Sequence, residues 1–433
     1  MNKTINIVGA GFTGLTLAYY LSKSGFEVKL FEKDEEVGGL AGSYKVNGQN
    51  LEKFYHHWFT NDKAIMDLIK DLNCDENIIV RPIKNGMYYA NNFFKLSSPL
   101  DLLKFKAVPF ISRIRLGFVV LAVRMVKDWK KLESKTAIEW LKNICGLKAY
   151  QVVWEPLLKG KFGRYATEIS AVWFWNKLKL RGGSRGEKGA ENLAYFKGGF
   201  AKLATKIKEE IINNGGIIHL NTPVSVLENN NSIVDKNGIQ TQFDKIIMTT
   251  PLPITAELLY KIAPLYYLDE LKSISYIGNV CLVLQLSKSL SDIYWLNVND
   301  PDFPFVGIIE HTNFEPKESY QGKHIVYMSK YLPTDEAMYK MKDKEVLDYA
   351  LPYIQRMFPD FDSSAILDYH VWREPFSQPL VVKNYSTLIP KWKSPIENIY
   401  INSMAQIYPE DRGTNYAIRE GKKMADAFIS NQL

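Results

Sequence analysis

Ile5-Asn6-Ile7-Val8-Gly9-Ala10-Gly11-Phe12-Thr13-Gly14 is the stretch on which the fold turns, and Glu32, eighteen positions after the third glycine, completes it. The apolar run over 3–8 predicts a strand. Leu15, Leu17, Ala18 and Leu21 then recur at helical spacing until Ser24-Gly25 closes the helix. Phe26 to Phe31 reads as a second strand, which makes a βαβ unit of about 30 residues. The glycines have distinct physical roles. Gly9 permits the tight turn, Gly11 lets a pyrophosphate approach the backbone, and Gly14 lets helix pack on strand. The helix N-terminus adds free N–H groups and a positive dipole end, and Glu32 is placed to accept from ribose hydroxyls. The glycine spacing alone is a weak signal. With strand, helix and acid around it, it predicts a dinucleotide site.

Working outward, Val37-Gly38-Gly39-Leu40-Ala41-Gly42-Ser43 forms a second glycine turn directly after the acid, and Asn47-Gly48 favours a hairpin between extended runs. GxGxxG occurs once, so no second domain for a nicotinamide dinucleotide is visible. Residues 99–195 read as mostly helical. Helix starts fall at Ser98-Pro99 and at Thr136, the latter with Glu139 as a capping box, and a glycine-rich loop runs from Arg181 to Gly189. Phe200 to Asn213 is an amphipathic helix, followed by strand-like runs at 217–220, 224–227 and 245–248. Strand-like stretches dominate 266–390; the chain closes with a strand at 398–401, a polar loop and a helix from about Tyr416.

The second glycine turn is similar to that of the glutathione-reductase-type FAD proteins, where the segment after the ribose acid curls back beneath the cofactor. Over nearly its full length the chain resembles the FAD-dependent amine oxidases, protoporphyrinogen oxidases and phytoene desaturases, with UDP-galactopyranose mutase as a relative. The resemblance rests on Gly9–Gly42, on Gly215-Gly216 through Val224, and on Asn402 to Gly421. It implies an α/β fold: a glutathione-reductase-type Rossmann FAD-binding domain with an inserted mixed α+β substrate domain. The FAD domain would comprise 1–80, 195–265 and 391–433; the substrate domain would comprise a helical part, 81–194, and a sheet-rich part, 266–390. The implied FAD-binding set is Gly9, Gly11, Phe12, Thr13, Gly14, Glu32, Lys33, Gly39, Leu40, Ala41, Val224, Thr414, Asn415 and Tyr416. Val224 would hold the adenine through its backbone. The helix beginning near Thr414 would stabilise negative charge on reduced flavin. Two departures stand out: Leu40-Ala41-Gly42-Ser43-Tyr44 lacks the arginine that amine oxidases carry there, and no lysine-plus-aromatic signature for amine oxidation is present.

Composition bounds the rest. The 433 residues are 46% apolar and 23% charged, which excludes collagenous, disordered and disulfide-scaffold classes. Cys74, Cys145 and Cys281 lie far apart with no CxxC, so neither a disulfide framework nor a metal site is expected, and a reducing cytoplasm fits. Met1 to Val8 runs straight into the glycines without a cleavage signal, and the longest apolar stretch of the basic segment, Leu116 to Val123, is too short to span a bilayer. The net charge is +7, yet residues 81–131 carry eleven basic side chains against two acidic ones. Within it, 99–131 interleaves cations with Leu102, Leu103, Phe105, Ile111, Ile114 and Leu116. That pattern suits peripheral contact with an anionic membrane, or a merely solvated basic face, better than nucleic acid. The sequence carries no signal for oligomeric state.

Candidate substrate-side residues form a looser group. His56 and His57 lie among aromatics in Phe54–Phe59, and His56 matches the histidine stretch of UDP-galactopyranose mutases; a structural pair at a hairpin end is the alternative. Lys159 and Arg164, in Trp154–Arg164, read as a grip on an anion or as a solvated turn, and Trp173 belongs with them. Arg373, in a run resembling that of protoporphyrinogen oxidases, is a candidate catalytic contact or a cross-domain salt bridge. The expected activity is FAD-dependent oxidation of a small-molecule or lipid-linked anionic substrate by hydride transfer to flavin N5. A flavin-dependent sugar mutase and a non-catalytic FAD-binding protein are the alternatives.

Overall fold

The computed structural model describes residues 4–94, 108–181, 191–229, 231–300 and 302–433. The expected βαβ unit is present: β1 (Thr4–Val8), α1 (Phe12–Lys23) and β2 (Glu27–Phe31). Three further strands join them from far along the chain, β3 (Ile217–His219), β4 (Lys245–Met248) and β5 (Ile399–Ile401), in the spatial order β3-β2-β1-β4-β5. All neighbours run parallel. A parallel sheet must be covered on both faces, which is why apolar residues dominate its strands, with Asn6 in β1 and Lys29 in β2 as polar interruptions. Ile5, Ile7, Val28, Leu30, Ile246 and Ile247 have no exposed surface.

Beside this sheet stands a seven-stranded one, ordered Ile366–Pro379, Tyr276–Leu286, His324–Leu332, Gly307–Glu310, Trp295–Val298, Asn85–Tyr89 and Asn92–Phe94. Its members are antiparallel except for the parallel pair Trp295–Val298 with Asn85–Tyr89. A helical layer holds α2 (Phe110–Met125), α3 (Ala137–Ala149) and α4 (Glu155–Phe162). The Thr136–Glu139 capping box forms as expected: the Glu139 N–H donates to Thr136 Oγ1 at 3.1 Å and the Thr136 N–H to Glu139 Oε2 at 2.8 Å. Lys159 to Phe162 is helix rather than turn, because Pro156 sits in the first turn of α4 where its missing N–H costs nothing. The helix start at Ser98-Pro99 and nearly all of the 181–189 loop lie outside the described residues, so of the 99–131 segment only its later part, with α2, is on view.

Two more helices complete the frame. α5 (Gly199–Asn213) and α6 (Thr414–Ile429) both pack on α1. Gly421 makes the crossing with α6 close: a Cβ there would lie 2.6 Å from the Thr13 carbonyl oxygen.

Candidate active site

The β1–α1 turn is built around its glycines. Gly9 has φ of +103°, and a Cβ on Gly14 would stand 1.9 Å from the Gly9 carbonyl oxygen. Gly11 caps α1 without a side-chain hydrogen bond, and the first turn of α1 holds no acidic residue. An uncapped helix start of this kind presents N–H donors and positive potential to an anion. The second glycine turn closes over the first. The Gly38 N–H donates to the Ala10 carbonyl at 2.9 Å, Gly11 bridges Gly38, and a Cβ on Gly39 would approach the Gly11 Cα to 3.0 Å. Leu40 and Ala41 continue that turn as a single 3-10 element, Gly39–Ala41.

Glu32 lies at the end of β2, 7% exposed, and its carboxylate is already at work: Oε2 accepts from the Ala10 N–H at 2.7 Å and Oε1 from the Asp34 N–H at 3.1 Å. It thereby ties the phosphate turn to the strand end, and its remaining lone pairs can serve a ribose. Lys33 is turned outward to Asp34 at 2.8 Å. The Thr222 N–H donates to the Glu32 carbonyl at 2.8 Å, which brings the Val224 strand alongside. Together these residues fit FAD: an open, glycine-walled cradle for a pyrophosphate, an acid beside it and a backbone strand beyond.

The start of α6 has no side-chain cap at Gly413. Thr414 and Tyr416 open its first turn, and the Tyr416 ring carries the Arg419 guanidinium 4.9 Å from its centroid. Asn415 is buried, and its Oδ1 accepts from the Ile65 N–H at 3.1 Å, so its side chain braces the helix rather than facing outward. His56 is half-buried; its Nδ1 lies 2.6 Å from the Phe54 carbonyl, which assigns the proton to Nδ1 and leaves Nε2 as the acceptor. Burial brings its pKa down to about 4; the Arg412 charge pushes the same way against the Phe54 hydrogen bond. His56 is therefore a neutral imidazole at physiological pH. His57 is separate from it, its Nδ1 3.0 Å from the Tyr294 hydroxyl within an aromatic cage.

Asp411 and Arg412, just before α6, are the residues that sequence reasoning missed. Asp411 is buried and accepts from Trp173 Nε1 at 2.9 Å, Lys177 Nζ at 3.1 Å and Gln378 Nε2 at 3.1 Å. Burial alone would raise its pKa, but the charges of Lys177, Lys161 and Arg412 outweigh that and hold the carboxyl well below its usual range. Trp173 is thus a buried donor to Asp411, with the Lys161 ammonium 4.9 Å from its ring centroid. The same ammonium lies 4.8 Å from the Tyr331 centroid, and Arg412 donates to the Tyr331 hydroxyl at 2.9 Å. The signal available in the sequence was the acid–base pair directly ahead of Gly413-Thr414. A second missed group is Glu52, wholly buried, accepting from the Tyr195 hydroxyl at 2.7 Å and the Phe200 N–H at 2.7 Å. Burial raises its pKa against those bonds.

The remaining candidates are dispersed. Lys159 lines a cavity of about 400 Å³ but reaches back to Glu155 at 3.0 Å. Arg164 makes a two-pronged pair with Asp335 at 3.0 and 3.1 Å on the surface, which occupies the fork that was expected to hold an anion. Arg373 donates to the Tyr339 and Met341 carbonyls and to Asp343 at 2.7 Å. Its geometry is that of a brace between the edge strand and the helix Asp343–Met357, so the structure gives it a tethering job in place of the expected catalytic one. The three cysteines are buried and free, and no cluster of potential metal ligands occurs among the described residues.

Comparison with known proteins agrees with the fold and the family resemblance. Residues 12–429 match the family described as flavin containing amine oxidoreductase. The coproporphyrinogen III oxidase of Staphylococcus aureus is 22% identical over 58% of this chain and 61% of its own length, so the chain spans less than two thirds of that relative. The 15-cis-phytoene desaturase of Synechococcus elongatus is 21% identical over 99% of this chain and 96% of its own. A crystal structure of reduced UDP-galactopyranose mutase superimposes over 99% of this chain and 96% of its own, with a TM-score of 0.77 at 15% identity, which is a likeness of fold. An enzyme is thereby favoured over the non-catalytic alternative, and FAD is the cofactor. The chain belongs to the flavin containing amine oxidoreductase family and is an FAD-dependent oxidoreductase.

Proposed function

We propose that the enzyme oxidises an anionic substrate with a large apolar body, presented at a membrane surface. When bound, FAD would supply the oxidant, a two-electron acceptor for the hydride of a substrate C–H bond, with the second substrate proton going to solvent. The observation that carries the membrane half is α2. Phe110, Ile111, Ile114, Phe118, Leu121 and Met125 are 43–78% exposed. At 100° per residue they fall within about 100° of one helix face. Leu116, Val119 and Val123 occupy the opposite face and are buried. Arg113 and Arg124 border the exposed arc on one side and Arg115 on the other. An apolar stripe rimmed by cations is the arrangement of a helix lying in an anionic bilayer interface. No helix among the described residues is long and apolar enough to cross a membrane.

The FAD-loaded enzyme should sediment with vesicles of phosphatidylglycerol and phosphatidylcholine, and less with phosphatidylcholine alone. Phe118→Asp combined with Leu121→Asp should abolish sedimentation at unchanged FAD content; undiminished sedimentation would overturn the membrane reading. A flavin-dependent sugar mutase is the second reading, supported by the neutral His56 imidazole, which matches the mutase histidine stretch. An oxidoreductase is bleached anaerobically by its own substrate. Conversion of a nucleotide-linked or lipid-linked sugar only after dithionite reduction, with no net electron transfer, would decide for the mutase.

A further inference from the structure

The strand His324–Leu332 turns Val326, Met328, Lys330 and Leu332 to one face, by the two-residue period of extended backbone. Three of the four are buried apolar side chains, and the fourth is a lysine. Lys330 is half-buried and lines the cavity of about 400 Å³. Burial pushes its pKa down, against the pull of Glu336, which lines the same cavity. The other charges on the wall are matched in pairs. Lys159 lies 3.0 Å from Glu155, and Asp300 lies 3.3 Å from Arg356, whose guanidinium rests 5.0 Å from the Phe303 ring centroid. Lys330 and Glu336 have no such match: among the described residues neither side chain makes an ion pair or a hydrogen bond. A cation and a carboxylate thus face one cavity without touching, where an unmet charge is costly.

The cavity lies between the helical layer and the seven-stranded sheet, a usual place for a ligand. Asn299 clamps the two: its backbone N–H donates to the Tyr88 carbonyl at 2.8 Å and its Nδ2 to the Val153 carbonyl at 2.9 Å. Val153 belongs to a wide π-helical turn, Tyr150–Trp154, a form found mostly at functional sites, and Gln151 of that turn lines the cavity. Gly160 lets α4 close on the opposite wall at Val306, and a Cβ at Gly163 would lie 3.7 Å from Glu336 Oε1. Tyr89, Val298, Phe303 and Phe305 supply apolar surface. We propose that this cavity binds a zwitterion: Lys330 takes its oxyanion, Glu336 takes its ammonium, and its apolar part lies against Phe303 and Phe305. A free amino acid with an apolar side chain has this chemistry, and so does an ethanolamine phosphate headgroup. The site goes beyond the anionic-substrate reading, because its ligand carries charges of both signs, and it stands whether or not that ligand is oxidised.

The test is isothermal titration calorimetry on FAD-loaded enzyme, which needs no turnover. The probes are L-phenylalanine and O-phosphoethanolamine, with 3-phenylpropionate and phenethylamine as single-charge controls. Wild type should bind at least one zwitterion saturably and about tenfold more tightly than either control, and the better zwitterion identifies the source. Lys330→Met should weaken that binding about tenfold, the loss expected for a charge-assisted hydrogen bond. Its affinity for phenethylamine should hold or improve, because a like charge has gone. Glu336→Gln should weaken zwitterion binding to a similar degree, while 3-phenylpropionate binding holds or improves. A structural role for either residue would not produce this crossover. Lys344→Gln, on an exposed helix face, should bind like wild type. FAD content and thermal unfolding check that each variant is folded. No saturable binding of either zwitterion by wild type, or unchanged zwitterion affinity in both charge variants, overturns the proposal. So does tighter binding of 3-phenylpropionate than of L-phenylalanine, since the cavity would then be a plain anion site.

Discussion

Gly14→Ala is expected to give a colourless, destabilised protein. The new methyl group would stand 1.9 Å from the Gly9 carbonyl oxygen and 3.1 Å from Thr249 Oγ1. The first obstacle is backbone, which cannot swing aside as a side-chain tip can. Relief requires α1 to move off β1, yet α1 is clamped elsewhere. Leu15, Leu17, Ala18 and Leu21 have no exposed surface, and Gly421 of α6 packs onto its first turn. Overpacking a core costs about 1–3 kcal/mol and sometimes more, and here the displaced element is also the phosphate cradle. FAD content after purification should fall to a small fraction of wild type, with a lowered melting temperature. Gly117→Ala is the matched control: a Cβ at that glycine of α2 meets nothing within 4 Å. Full FAD content in Gly14→Ala would show that the turn does not hold the cofactor.

Asp411→Ala should produce the second large effect. Three cations face this carboxylate, and Trp173 Nε1 and Gln378 Nε2 donate to it from inside the protein. Removing one member of a buried charge cluster strands the others, a loss of about 3–5 kcal/mol. Asp411→Asn keeps an acceptor for Trp173 but discards the charge, so it should fall between wild type and the alanine variant. Urea unfolding followed by tryptophan fluorescence, to which Trp173 contributes as one of nine tryptophans, measures both. Equal midpoints for all three proteins would mean that the cluster contributes no stability.

The parts of this protein that were legible in its sequence are those whose logic is local. The β1–α1 turn and the Thr136 capping box depend on spacings of a few residues, and each forms as expected; Glu32 stands directly after β2, where its spacing puts it. The cluster around Asp411 is different in kind. Lys161, Lys177, Tyr331 and Asp411-Arg412 come from four separate elements, and no periodicity links them. Arg164 was undecided for the same reason: among glycines and lysines it reads as an anion grip or a solvated turn, and its partner Asp335 lies 171 positions away. Gly160 is comparable. It lies in the stretch that reads as an anion grip or a solvated turn, and it is a helix position where a Cβ would meet Val306 Cγ1 at 2.5 Å.

The strand order of the parallel sheet also sets a timetable. β1 cannot gain its second neighbour until residues 245–248 have been made, and that neighbour waits for 399–401. Most of the protein must therefore leave the ribosome before the nucleotide-binding layer can close, so its first strands wait as exposed apolar ribbons. FAD capture must therefore wait for residues 399–401. Its yield in a cell will depend on how well those early strands are kept from pairing elsewhere.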